Sequence, residues 1–104
     1  MQDGSQLKNT MPERFHVSPD AVANRMGDQI VLVHVGTDRI FELNQTAARI
    51  WDLLALGHNR NEIQKILLEE FRISESIATQ QIEELLATLI GERIISVQND
   101  DQRS

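Results

Sequence analysis

The spacing of apolar and polar residues divides the chain into an extended first half and a helical second half. From Val22 to Leu43, apolar side chains come in short runs separated by glycine-containing turns, which is typical of antiparallel strands. After Asn44 the apolar positions recur every three or four residues, which is typical of amphipathic helices. This order of elements predicts an α+β fold in which a small sheet precedes a group of helices.

Three strands are predicted in the first half. They are Val22 to Met26, the segment QIVLVHV at residues 29–35, and Arg39 to Leu43. Gly27-Asp28 and Gly36-Thr37-Asp38 stand between them and favour hairpin turns, because glycine accepts a positive φ without steric cost. The second strand is apolar on both faces, so we expect it at the centre of a three-stranded antiparallel meander.

Three helices are predicted in the second half from their caps. They begin after Asn44, Asn59 and Ser74, whose side-chain oxygens can accept hydrogen bonds from the free amides of a first helical turn. The first helix extends to about Leu56 and ends before a glycine, Gly57, which suits a left-handed cap. Residues 94–97 turn apolar again and are predicted as a short strand or wing. The whole pattern therefore predicts a winged helix-turn-helix-like domain with three strands followed by three helices.

Length and composition predict a single small domain. The chain has 104 residues, and we expect a folded domain at residues 14–98 between polar, flexible tails at residues 1–13 and 99–104. It has no cysteine, which excludes disulfides and thiolate metal sites. No apolar run is long enough to span a bilayer and the N-terminus lacks a signal-peptide pattern, so we expect a cytoplasmic protein without membrane association.

The charge distribution argues against nucleic acid as a partner. The formal net charge is −6, and the predicted third helix carries four glutamates between residues 75 and 92 with no lysine or arginine. A recognition helix in this position would be repelled by the phosphates that line a groove. A winged-helix DNA-binding regulator is therefore kept only as an alternative.

No residue pattern indicates catalysis. The three histidines, His16, His34 and His58, are scattered without metal-binding spacing, and each is expected to be a surface or half-buried side chain. Glycines stand at turns or helix ends, so there is no phosphate-binding loop. We expect a protein that is not an enzyme and needs no metal or cofactor.

A longer segment of the sequence carries a family resemblance. Residues 43–71, LNQTAARIWDLLALGHNRNEIQKILLEEF, followed by IEELLATLIGERII at residues 82–95, resemble the PqqD-like family, the RiPP precursor peptide recognition elements. The matching positions are Leu43-Asn44 at the end of the third strand, Ile50-Trp51 and Gly57 in and after the first helix, and Leu86 with Leu89 in the last helix.

One position departs from the family pattern. The glycine that follows the third helix in the family falls near Arg93 here, while Gly91 stands two residues earlier. We therefore expect the end of this helix to be shifted or differently capped.

The resemblance implies a peptide chaperone. Family members catalyse nothing; they bind the leader segment of a ribosomally made precursor peptide and present it to a modifying enzyme, often of the radical SAM class. The product would be pyrroloquinoline quinone (PQQ) or another modified peptide. The leader is expected to add as a strand beside the third strand, in a groove whose other wall is the third helix.

The expected peptide-binding residues lie on these two elements. The strand contributes Arg39, Ile40, Phe41, Glu42 and Leu43, and the helix contributes Ile77, Gln81, Leu85 and Thr88. Within the strand, Phe41 and Leu43 are the better pair to face the core, and on the helix Ile82, Leu86 and Leu89 are expected to pack inward. A dimerising scaffold subunit without a peptide ligand is the remaining alternative.

Overall fold

The computed structural model describes residues 13–99, which form two antiparallel sheets and three helices. In chain order the elements are β1 (Glu13–Val17), β2 (Ala21–Met26), β3 (Gln29–His34), β4 (Arg39–Leu43), α1 (Gln45–Ala55), α2 (Arg60–Glu70), α3 (Glu75–Gly91) and β5 (Ile95–Asn99). The predicted α+β class is confirmed, as is the three-stranded sheet followed by three helices; the strand β1 was not predicted. Among these helices, none has the length and apolar character to cross a membrane.

The predicted meander forms the larger sheet, in the order β2-β3-β4. The central position of β3 is confirmed, and β2 begins one residue earlier than predicted, at Ala21. In the first turn Gly27 has a φ of 67°. In the second turn it is Asp38 that has positive φ, at 60°, while Gly36 does not. Aspartate is among the few residue types that adopt this conformation readily, because its short side chain can bond locally.

A second sheet pairs the two ends of the described chain. β1 and β5 are antiparallel, with Glu13 opposite Asn99 and Val17 opposite Ile95. Glu13 and Asn99 stand at the inner ends of the two predicted polar tails; the rest of those tails, residues 1–12 and 100–104, lies outside the described residues. Strand pairing joins backbone groups, so polar side chains at the ends of a ribbon do not prevent it.

The core lies between the larger sheet and the three helices. Its fully buried large side chains are Leu32, Ile50, Leu54, Ile63, Leu67, Leu86, Leu89 and Ile94. The inward packing predicted for Ile82, Leu86 and Leu89 is confirmed, and Trp51 is also a core residue. Burying this many aliphatic side chains holds β4 and α3 in fixed positions relative to each other.

Side-chain caps and ion pairs fix the ends of the helices. At the start of α2, the predicted cap Asn59 forms a capping box with Glu62: each side chain accepts a hydrogen bond from the backbone N–H of the other. The backbone N–H of Asn59, and then His58, lower the pKa of Glu62. At the end of α2, Arg49 of α1 donates two hydrogen bonds to Glu70, at 2.7 and 2.8 Å, and lowers the pKa of that carboxyl.

These two lowered pKa values predict an acid-sensitive component of stability. Each carboxyl has a lower pKa in the folded chain than its usual value of 4.5, so the unfolded chain binds more protons. The stabilisation is present above that usual value and is lost as the pH falls through the folded-state pKa. Thermal unfolding measured between pH 6 and pH 3 should show a smaller loss of Tm for the double variant E62Q/E70Q than for the wild type. The variant E69Q, which removes a neighbouring carboxylate, should follow the wild type; parallel curves for all three proteins would contradict this assignment.

The end of α3 explains the departure from the family pattern. Glu92 is the C-cap, Arg93 N–H donates to the Ile90 carbonyl at 3.0 Å, and Ile94 N–H donates to the Leu89 carbonyl at 2.9 Å. This pair of bonds is a Schellman motif, in which the residue after the cap has a left-handed conformation. Arg93 occupies that position with a φ of 61°. The helix therefore ends with a common cap geometry, but an arginine stands where glycine is usual.

Alanine should give the more stable protein at residue 91, whereas glycine should give the more stable protein at residue 93. At residue 93 the R93G variant should be more stable than R93A by about 1 kcal/mol, because only glycine adopts a positive φ without strain. At residue 91, inside the helix, a Cβ would meet no atom within 4 Å, so G91A should stabilise the protein by about 0.5 kcal/mol. Chemical denaturation of the four proteins measures both differences. Equal stability of R93G and R93A would contradict the strain assigned to Arg93.

Candidate functional site

The strand β4 has one unpaired edge in the described part of the chain. It pairs with β3 on one side, from Arg39 opposite His34 to Leu43 opposite Ile30, and has no strand on its other side within residues 13–99. An edge strand presents backbone N–H and C=O groups to which an added strand can bind. The structure thus contains the exposed strand edge on which the site predicted from the sequence depends.

The side chains of β4 alternate between the two faces of the sheet. Phe41 is half-buried and Leu43 is buried, so the prediction that these two face the core is confirmed. Ile40 and Glu42 lie on the opposite face, where Ile40 is 64% exposed. These two side chains point away from the helices, so their contribution to a groove beside α3 is limited to the backbone of the strand.

Arg39 connects the beginning of β4 to the end of α3. Its guanidinium Nη2 lies 3.2 Å from the Glu92 carboxylate, and its Cζ lies 5.6 Å from the centre of the Phe41 ring. The other end of β4 passes directly into α1 at Asn44, whose side-chain oxygen accepts a hydrogen bond from Ala47 N–H at 2.9 Å. The unpaired edge of β4 thus has an ion pair at one end and a helix cap at the other, and these two features define its length.

A groove opens next to the capped end of the strand. Its volume is about 310 Å³, and its lining residues are Asn44, Ala47, Ile50, Gln81, Glu84, Leu85 and Thr88. Three of the four predicted helix residues, Gln81, Leu85 and Thr88, therefore line one surface. The fourth, Ile77, is 40% exposed one turn earlier in α3 and does not line this groove.

The strand and the helix are of matching length along this surface. The five residues of β4 extend about 17 Å at 3.3 Å per residue, and the helix rises about 17 Å between Gln81 and Glu92 at 1.5 Å per residue. Because Asn44 meets the middle of α3 and Arg39 meets its end, β4 and α3 run in opposite directions. None of the five predicted strand residues, Arg39 to Leu43, lines the groove itself, whose walls are Asn44 with the start of α1 and the middle of α3.

Four groove residues were not predicted: Asn44, Ala47, Ile50 and Glu84. The first three are spaced by three residues and so share a face at the start of α1, but they carry an obvious role in capping or core packing. Glu84 lies three residues after Gln81 and four before Thr88, which places it on the predicted helix face. The helical spacing in the sequence was therefore sufficient to predict that Glu84 lines the groove.

The histidine and acidic side chains of the described residues are the candidate ligands for a metal ion. Within residues 13–99, no group of three or more histidine, aspartate or glutamate side chains is close enough to hold a metal ion. His34 is only 7% exposed and its Nδ1 has no hydrogen-bond partner among the described residues, so the expectation of a surface or half-buried side chain was wrong for this histidine. It alternates with Ile30 and Leu32 on β3 and therefore faces the core.

Two solved structures share this fold. One is described as TbiB1 in complex with the TbiA(beta) leader peptide; it is 22% identical, covers 86% of this chain and 99% of its own, and has a TM-score of 0.71. The other is described as lasso peptide synthetase B1 complexed with the leader peptide; it is 23% identical, covers 80% of this chain and 98% of its own, and has a TM-score of 0.72. Both structures therefore share the fold of this chain over most of its length.

The sequence places the chain in a specific family. The profile of coenzyme PQQ synthesis protein D (PqqD) matches residues 29–95, and the chain belongs to this family. The matched region begins with β3 and ends at the start of β5, so it includes β4, all three helices and the groove. No curated protein sequence matches the chain significantly.

Two neighbouring leucines of α3 should differ in their effect on stability. Leu86 is fully buried, whereas Leu85 is half-buried and lines the groove. Truncating Leu86 leaves a cavity in the core, so L86A should lower the free energy of unfolding by about 3 kcal/mol. L85A should lower it by about 1 kcal/mol, because its side chain is already in part exposed to water. Urea denaturation measures both values, and a larger loss for L85A than for L86A would contradict the assignment of Leu85 to a surface groove.

Proposed function

We propose that this protein binds the leader segment of a ribosomally made precursor peptide and presents it to a modifying enzyme. The unpaired edge of β4, which ends at Asn44 where the groove between α1 and α3 begins, is the observation that supports this function most directly. Membership of the PqqD family and the leader-peptide complexes of the two similar structures support it independently. The proposed site of action is the cytoplasm, where precursor peptides are synthesised.

The geometry offers two kinds of contact to an extended peptide. The free backbone groups of β4 would fix the direction and register of an added strand, as in other cases of strand addition. Apolar side chains of the guest would enter the groove, where the half-buried Ala47 and Leu85 provide apolar surface. After the cost of ordering the leader, we expect micromolar affinity, corresponding to about −8 kcal/mol.

The modification itself would be carried out by a separate enzyme. The groove is lined by amide, hydroxyl and aliphatic side chains and one carboxylate, which offer contacts to a bound peptide. The resemblance that includes Leu43-Asn44 and Ile50-Trp51 implies that this partner is often a radical SAM enzyme. The role of the chain would then be to hold the leader while the enzyme acts on another part of the precursor, in the synthesis of PQQ or of another modified peptide.

A dimerising scaffold is a second candidate, because the outer face of the meander carries an apolar row. Val22, Val33 and Ile40 lie directly opposite one another across the three strands. Val22 is 44% exposed and Ile40 is 64% exposed, so this row is open to solvent in the single chain. Such a row suits contact with another protein surface, either a second copy or the enzyme partner.

An amide-shift titration tests the proposed function. The ¹⁵N-labelled protein would be titrated with synthetic leaders of the small peptides encoded beside its gene. Strand addition predicts that shifts concentrate on residues 39–44 and 81–88. If the protein is a scaffold without a peptide ligand, no shifts should occur at these residues. If it is a DNA-binding regulator, it should instead bind duplex DNA with an affinity that falls steeply with salt.

A matched pair of leucine variants makes the titration quantitative. L85A should weaken leader binding about fivefold, since it removes apolar contact area from the groove. L68A makes the same change at a half-buried position of α2 outside the groove and should leave the affinity unchanged. Equal affinities of L85A and L68A would contradict a guest in the groove.

A further inference from the structure

We infer that Glu84 makes the groove selective for peptides with a lysine or arginine side chain at one defined position. The inference rests on the proposed function, and it assigns the chemical preference of that same site. Among the seven lining residues Glu84 carries the only formal charge, and the other six are neutral amide, hydroxyl or aliphatic side chains. A guest side chain that enters the groove therefore meets a negative charge that no lining cation offsets.

The acidic residues of α3 differ in their partners. The Glu83 carboxylate is paired with Arg60 of α2, and the Glu92 carboxylate is paired with Arg39 of β4. The contact of Glu84 is with Gln80, one turn earlier, whose side-chain amide donates to it at 3.1 Å. An amide leaves the charge of the carboxylate in place. Glu84 has no cationic side chain within 4.0 Å in the part of the chain that the structure describes.

The position of Glu84 also suits the shape of a basic side chain. Leu85 and Ala47 line the same groove and offer apolar surface, along which the methylene groups of a lysine or arginine can pack. The charged end would then reach the Glu84 carboxylate at the exposed side of the groove. An acidic side chain in the same place would be repelled, and the net charge of −6 increases that repulsion.

The expected effect is a preference of about threefold. Glu84 is exposed, and ion pairs between exposed groups change affinity by small factors. The preference should decrease as salt is added, because exposed charges are screened. Apolar contacts in the groove and backbone contacts along β4 should be unaffected by either change.

Selection from a peptide library tests this inference without knowledge of the natural precursor. An mRNA-displayed library of random 15-residue peptides would be selected against the wild type, E84Q and E69Q. Glu69 is an exposed acidic residue of α2 outside the groove, so E69Q makes the same change of charge elsewhere. Lysine or arginine should be enriched at one fixed position of the motif selected by the wild type and by E69Q, and this enrichment should be lost with E84Q.

A double-mutant cycle on one selected peptide confirms the contact. Replacing its basic residue with methionine should weaken binding to the wild type about threefold and leave binding to E84Q unchanged. Peptides that shift the amides of residues 39–44 and 81–88 but show no basic preference, or keep it with E84Q, would overturn the inference while the proposed function stands. Selection of no peptide that perturbs those residues would overturn the proposed function and the inference with it.

Discussion

The hydrogen bond between the Asn44 side chain and Ala47 N–H is the local constraint from which the site follows. It ends β4 and begins α1 within one residue, with Leu43 in the strand and Gln45 in the helix. Because Asn44 has an extended backbone, the chain leaves the strand without a connecting loop. Within residues 13–99 there is thus no loop after β4 that could cover its outer edge, and the first turn of α1 forms one wall of the groove.

As a result of this junction, β4 is packed against the core on one face but keeps one backbone edge unpaired in the described part of the chain. Leu43 and Phe41 tie one face of β4 to the core, while the backbone edge stays unpaired within residues 13–99. An unpaired edge invites aggregation, which proteins limit with short strands and charged side chains. β4 has five residues, and Arg39 and Glu42 place opposite charges along it. The strand can thus be open to one guest without being a long, flat, apolar template.

The fold could be predicted from the sequence because its signals are local. The caps at Asn44, Asn59 and Ser74 fixed the starts of three helices, and the two-residue periodicity of β4 identified which of its faces is buried. The pairing of β1 with β5 was not predicted, since it joins residues from opposite ends of the chain and depends on tertiary contacts. The buried side chain of His34 was also misjudged, although its alternation with Leu32 on β3 carried the information.

The candidate site was only partly predictable for a related reason. Residues with a strong structural role, such as Ile50 and Asn44, have sequence patterns that core packing or capping explains fully, so a second role at a groove surface leaves no separate trace. The departure at Arg93 shows the opposite case. There the displaced glycine predicted a shifted or differently capped helix end, but Arg93 itself adopts the left-handed conformation of a Schellman motif, whose hydrogen bonds involve only backbone atoms.

The charges of α3 influence which class of ligand this fold can bind. A winged helix-turn-helix with a basic third helix suits the phosphates of DNA, whereas here that helix has acidic residues and no basic ones between Glu75 and Gly91. Two of the acidic groups near its C-terminal half, Glu83 and Glu92, are engaged by arginines that tie α3 to α2 and to β4, so they serve the fold. Glu84 is left to face the groove with only an amide contact. One arrangement of charge thus both disfavours a nucleic acid and, within residues 13–99, gives the groove its single charged lining residue.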